Sequence, residues 1–165
     1  MRSFTMVSPM IWLSARFRKL PDDAKLLFLY LLSCPHQNSA GVFRLTAGYA
    51  CDDLTPWDSE KFQRSKNALV KAGMVQVDDA TEEILIELWF KHSPPTSGAT
   101  YIGIEKQIRS IVSQRLREAA MEALEQTWNP NWRGPKRLSN ASPQDDANSP
   151  RGLVTSLQTR LNTNK

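Results

Sequence analysis

The feature that most constrains this chain is residues 55–90, where the apolar period changes abruptly from that of a helix to that of a strand pair. Up to Ala72 the apolar residues fall at helical spacing, with Phe62 and Leu69 on one side. Gly73 is then a natural helix stop, because glycine enters the left-handed conformation of a helix C-terminus without steric penalty. Met74, Val75, Gln76 and Val77 read as one strand, residues 78–82 as a polar turn, and residues 84–90 (ILIELWF) as a second strand. A helix running straight into a two-stranded hairpin has little to bury against, so the rest of the core must come from what surrounds it.

The upstream residues are punctuated for that purpose. Residues 1–19 form a lead-in, with Ile11, Trp12, Leu13 and Phe17 as expected anchors. Pro21, Asp22 and Asp23 open a helix, since proline suits a first turn and acids favour the positive end of the helix dipole. Residues 24–33 (AKLLFLYLLS) are apolar nearly all round, which predicts a central, buried helix. Pro35 and His36 end it, and residues 41–45 (GVFRL) read as a short strand. Thr46 can cap a second helix over residues 47–54. For the third helix, Thr55 is the expected N-cap and Pro56 the first helical residue, with Asp58 and Glu60 in the early turns. Trp12, Tyr30, Trp57 and Trp89 are expected in the core.

Pro94, Pro95 and Gly98 break the chain, after which residues 103–128 predict one long amphipathic helix. Its stripe (Ile104, Ile108, Ile111, Val112, Leu116, Ala120, Leu124 among them) admits two uses, packing on the domain or forming a homodimer through residues 104–124. Residues 129–165 are rich in Asn, Ser, Pro, Arg and Thr, a composition expected to remain a flexible basic tail. The organisation expected is therefore a domain over residues 1–100, the amphipathic helix over 101–128 and the tail over 129–165.

The formal net charge of +4 lies wholly in that tail. Residues 1–128 hold 15 Lys and Arg against 15 Asp and Glu; residues 129–165 hold six cations against Asp145 and Asp146. An anionic partner must therefore be argued from a local patch. Cys34 and Cys51 are too few for a disulfide framework, and with His36 and His92 they lack metal-ligand spacing, so both read as small buried hydrophobes and no cofactor or metal is expected. There is no glycine-rich phosphate loop, GxSxG or HExxH, so catalysis is not expected either. No apolar run approaches a membrane span and residues 1–13 lack a secretion-signal layout, which leads to the expectation of a cytoplasmic protein.

The order helix, short strand, helix, helix, hairpin predicts a mainly α fold of the winged helix-turn-helix kind. In such a fold the third helix presents its polar face to base edges in the major groove. Glu60, Arg64, Asn67 and Lys71 form a polar stripe opposite Phe62 and Leu69, flanked by Lys61 and Gln63. Arg64, Asn67 and Gln63 are candidates for base readout, with Lys61, Lys66 and Lys71 for phosphate and positioning. Asp78, Asp79, Glu82 and Glu83 make the hairpin acidic, so its tip is expected to keep off the phosphate backbone or to serve a protein partner. In the tail, Trp132 with Arg133, Lys136 and Arg137, and Trp128 just before them, combine stacking surface with charge, a pattern suited to single-stranded DNA; folding back on the domain is the alternative.

Trp12, residues 17–27 (FRKLPDDAKLL), 30–36 (YLLSCPH), 41–45 (GVFRL), 68–75 (ALVKAGMV), Val77 with Asp78, and 89–95 (WFKHSPP) together resemble phage and prophage replication-initiation proteins, the replisome organisers. The resemblance spans about residues 10–110. It implies an N-terminal winged-helix domain that binds an origin and a C-terminal part that assembles or recruits a helicase or its loader. Here no second folded domain is expected to follow. The function expected is thus sequence-specific double-stranded DNA binding in replication initiation, in a bacterial host cell. The alternatives are a winged-helix transcriptional regulator, or a protein-interaction module in which the fold is a scaffold.

Overall fold

The computed structural model describes residues 5–128. A 3-10 turn, Pro9–Leu13, leads into α1 (Ala15–Arg18) and α2 (Asp22–Ser33). Then come β1 (Val42–Arg44), α3 (Ala47–Asp53), α4 (Ser59–Lys71), β2 (Val75–Asp78) and β3 (Glu83–Ile86). Three helices close the described chain: α5 (Trp89–His92), α6 (Gly98–Arg109) and α7 (Gln114–Thr127). The architecture is mainly helical with one small antiparallel sheet, and no helix among the described residues is long and apolar enough to cross a membrane.

The sheet is wider than the expected hairpin. Its order is β1-β3-β2, with Val42 opposite Leu85 and Val75 opposite Ile86. Every residue of β3 is buried, as befits a central strand covered on both faces. Ile84 lines the same groove as Phe62 of α4, whereas its neighbour Glu83 reaches the start of α7, so alternate side chains face different layers.

α2 opens on Asp22 and Asp23 as expected, but only Ala24, Leu27, Phe28 and Leu31 are buried, while Leu26 is exposed. Tyr30 donates its hydroxyl to Asp53 Oδ2 at 2.7 Å, tying α2 to the end of α3. Burial and that hydrogen bond push the phenol far above its ordinary range. In the lead-in, Phe17 is fully buried and Ile11 packs on the core, but Trp12 is 57% exposed and Leu13 is exposed. Trp12 is thus not a core residue; its ring rests edge-on against Phe17, 5.3 Å between centroids.

Several boundaries differ from the sequence expectation, each for a local reason. The cap of α4 is Asp58, whose Oδ1 accepts from Lys61 N at 2.7 Å, so the helix begins at Ser59. Thr55 and Pro56 stay in the preceding turn, where the Thr55 hydroxyl bonds back to Asp52 O. The second hairpin strand ends at Ile86 because Leu88 takes a left-handed conformation (φ 56°) and turns Trp89 and Phe90 inward as α5. Trp89 then donates its indole N–H to Ser39 O at 2.9 Å and lies flat against Gly41 (φ 67°), where a Cβ would stand 2.2 Å from the ring. Gly41 is required there on both counts.

Residues 103–128 are two helices rather than one. Ser113 caps α7 by accepting from Leu116 N, and Ser97 caps α6, which starts at Gly98. Ile111 is buried but Val112 is 73% exposed, so the chain steps out of register between the helices. Ile104, Ile108, Leu116, Ala120 and Leu124 belong to the same core cluster as Phe17 and Phe62. The apolar stripe is therefore used inside the chain, with α7 packed on α5, β2 and β3.

Leu124 is fully buried at the far end of that stripe. Leu124→Ala is expected to lower unfolding free energy by about 2–5 kcal/mol. Urea titration of the two proteins measures it; an unchanged midpoint would mean that the α7 stripe does not support the core.

Candidate nucleic-acid interface

α4 positions the candidate face. Its N-terminus is fixed by the Asp58 cap and by Lys61, whose Nζ lies 2.9 Å from Asp23 Oδ1 and 4.9 Å above the Trp57 ring. Its C-terminus closes at Gly73 (φ 62°): Met74 N donates to Leu69 O at 3.0 Å and Gly73 N to Val70 O at 2.9 Å, the paired bonds of a Schellman turn. Arg16 Nη1 donates to Gly73 O at 2.8 Å, placing a cation at the negative end of the helix. Phe62, Ser65 and Leu69 hold the inner face.

The outer face carries Glu60, Gln63, Arg64, Asn67, Val70 and Lys71, all exposed. Of the six residues singled out on α4, Gln63, Arg64, Asn67 and Lys71 therefore share one surface. Arg64 holds only a long 3.4 Å contact with Glu60 one turn back, an exposed pair worth little and easily exchanged. Lys61 stands at the edge, engaged by Asp23. Lys66 stands apart from the rest: it is buried (7% exposed), its Nζ lies 2.5 Å from Asp79 Oδ1, and its ammonium group sits 5.8 Å from the Phe62 ring. Gln63, Lys66 and Asn67 line one wall of a polar groove of about 380 Å³, whose other wall is Val77, Asp79, Glu82 and Ile84 of the hairpin.

The hairpin acids all have internal partners. Glu82, left-handed in the turn (φ 56°), accepts from Arg44 at 2.6 and 3.2 Å, and Asp79 receives Lys66. Glu83 is buried at 4% exposure; its oxygens accept from Val112 N at 2.9 Å, Ser113 N at 2.7 Å and the Thr81 hydroxyl at 2.9 Å. Asp78 accepts from the Ser113 hydroxyl at 2.5 Å, and that bond, with the backbone N–H groups of the turn and nearby Arg115, holds its carboxyl below the usual range. The acidity that set the hairpin apart from DNA in sequence thus serves to fasten it to β1, α4 and α7.

Both thiols are pushed up chiefly by loss of hydration, so Cys34 and Cys51 stay protonated at neutral pH. Among the described residues no group of three or more His, Cys, Asp or Glu is arranged to hold a metal ion. Trp128, at the end of α7, packs its ring on Tyr101 at 5.0 Å, whereas Trp132, Arg133, Lys136 and Arg137 lie outside the described residues. No family model, curated protein or solved structure matches the chain.

Two residues named in sequence have internal tasks that the sequence reading did not give them. Lys66 stands only about 40° from Phe62 on a helical projection, which marks it as an inner-face residue. Glu83 carried no such mark, because its partners are backbone N–H groups thirty residues away.

Because Asp78 titrates below its unfolded value, its contribution to stability is present above about pH 4 and lost as pH falls through the lowered folded value. The stability advantage of the native protein over Asp78→Asn should therefore persist at neutral pH and shrink progressively in acid. Denaturant titrations at a series of pH values check this; an advantage that grew in acid would contradict the assigned bond.

Proposed function

We propose that residues 5–128 form a winged-helix domain that binds double-stranded DNA, with α4 as the reading helix and the β2–β3 hairpin as the wing. The observation that carries this reading is the continuous exposed face of Gln63, Arg64, Asn67 and Lys71 on a helix fixed at both ends. Supporting it, the order α2, β1, α3, α4, β2, β3 with the sheet arranged β1-β3-β2 follows winged helix-turn-helix organisation. In this reading Arg64 pairs with guanine, Asn67 and Gln63 with adenine edges, and Lys71 with phosphate, since those side chains match those donor and acceptor patterns. Lys61 supports the edge of the face, and Lys66 holds the wing to α4.

The charge balance of residues 1–128 is neutral, so the reading rests on the local face of α4 and not on bulk attraction. The resemblance to replication-initiation proteins directs the proposal to a role at a replication origin, with a helicase or its loader as the partner and a transcriptional operator as the alternative target.

Selection from a random duplex pool with the full chain is expected to enrich one motif, and Arg64→Ala to bind that motif about 1–3 kcal/mol more weakly with relaxed preference at one base pair. Unchanged binding of the best site by Arg64→Ala would remove α4 from the reading role.

A further inference from the structure

We propose that residues Arg16–Lys19 form a phosphate-binding rim along one flank of α4, so that the duplex strand bordering the reading face is held by α1 as well as by α4; this rests on the DNA-binding reading above. Two tethers fix where the segment runs. Arg16 bonds to Gly73 O at the C-terminal end of α4, and Asp23 bonds to Lys61 in its first turn. Twelve residues of helix separate those points, about 18 Å at 1.5 Å per residue. The segment from Arg16 to Asp23 is therefore tied to α4 at both ends, with Arg18 and Lys19 between the two tethers in the chain.

The side chains divide cleanly along this stretch. Phe17 and Leu20 are buried and pin it to the core, while Arg16, Arg18 and Lys19 are exposed. Among the described residues none of these three makes an ion pair, and neither does Lys71 on the adjoining face of α4. The opposite flank differs: there the cations Lys66 and Arg44 are consumed by Asp79 and Glu82. The projection of α4 agrees, because Arg64 and Lys71 fall on the half of its outer face nearer Lys61, whereas Gln63 and Asn67 line the wing groove.

Arg16, Arg18 and Lys19 project from one short tethered segment, with Lys71 near the end of α4 where Arg16 binds, giving four exposed cations without carboxylate partners among the described residues. They suit a linear polyanion, whose phosphates follow one another at about 3.4 Å of axis per strand. The geometry thus gives α4 a basic flank that grips the backbone and a neutralised flank that does not.

The test compares the full chain with Arg18→Ala/Lys19→Ala on one fixed mixed-sequence duplex across a salt series; Arg16 is left intact because it caps α4. Loss of two phosphate contacts should reduce the slope of log affinity against log salt by about 2. Lys106→Ala, an exposed cation on α6 with no ion pair, should leave the slope unchanged. Matching circular-dichroism melts establish that the variants are folded; if the alanine pair melts early, Arg18→Gln/Lys19→Gln replaces it. A native-like slope in the double variant, or an equal loss with Lys106→Ala, overturns the rim and leaves DNA binding standing. Failure of the native chain to bind duplex even at the lowest salt overturns the DNA-binding reading and the rim with it.

Discussion

The Glu83 carboxylate sits in the middle strand of the sheet, out of contact with water, and takes the backbone N–H groups of Val112 and Ser113 together with the Thr81 hydroxyl. A buried carboxylate is costly unless its lone pairs are met, and here three donors meet them. Those donors come from the hairpin turn and from the corner where α6 gives way to α7. Glu83 therefore decides that the chain breaks at residues 110–113 and that α7 begins against the sheet. Without it, two N–H groups at a helix start would lie under the hairpin unsatisfied. The adjoining bond between Ser113 and Asp78 repeats the tie one strand over.

Much of the fold was legible because its signals are local. The Thr46 cap, the Gly73 stop and the inward face of Phe62 and Leu69 follow from chemistry within a few residues, and the structure has all of them. The failures cluster where a distant partner decided the matter. Trp89 and Phe90 extend a strand pattern in sequence, but the pocket offered by Gly41 and Ser39, some fifty residues earlier, draws the indole in. Thr55 followed by Pro56 reads as a cap and first helical residue in sequence, but Asp58, expected inside the helix, is the residue that caps it. The apparent stripe through residues 104–124 continued across the break because Val112 stands four residues before Leu116; only its exposure shows that Ile111, five residues before, is the residue inside.

For the candidate site, the exposed face of α4 could be read from periodicity alone, while its surroundings could not. Composition made the hairpin look hostile to DNA and said nothing of α1, since four carboxylates in six residues are conspicuous and three cations near the N-terminus are not. Tertiary pairing reverses the emphasis. The carboxylates are spent on anchoring, whereas Arg18 and Lys19 face outward with no such task. Charge counts along a sequence measure supply, and function depends on what remains after the fold has drawn on it.

That remainder also sets how the hairpin behaves at a distance. Its four carboxylates, Asp78, Asp79, Glu82 and Glu83, stand among three cations, Lys66, Arg44 and Arg115, leaving a net of one negative charge (four minus three). Closely paired charges of opposite sign produce fields that decay faster than that of a bare ion, and at physiological ionic strength the Debye length is only about 8 Å. An approaching polyanion is therefore neither drawn in nor turned away by the hairpin until it is almost in contact. Long-range attraction or repulsion by this domain must therefore come from unpaired charge elsewhere on its surface.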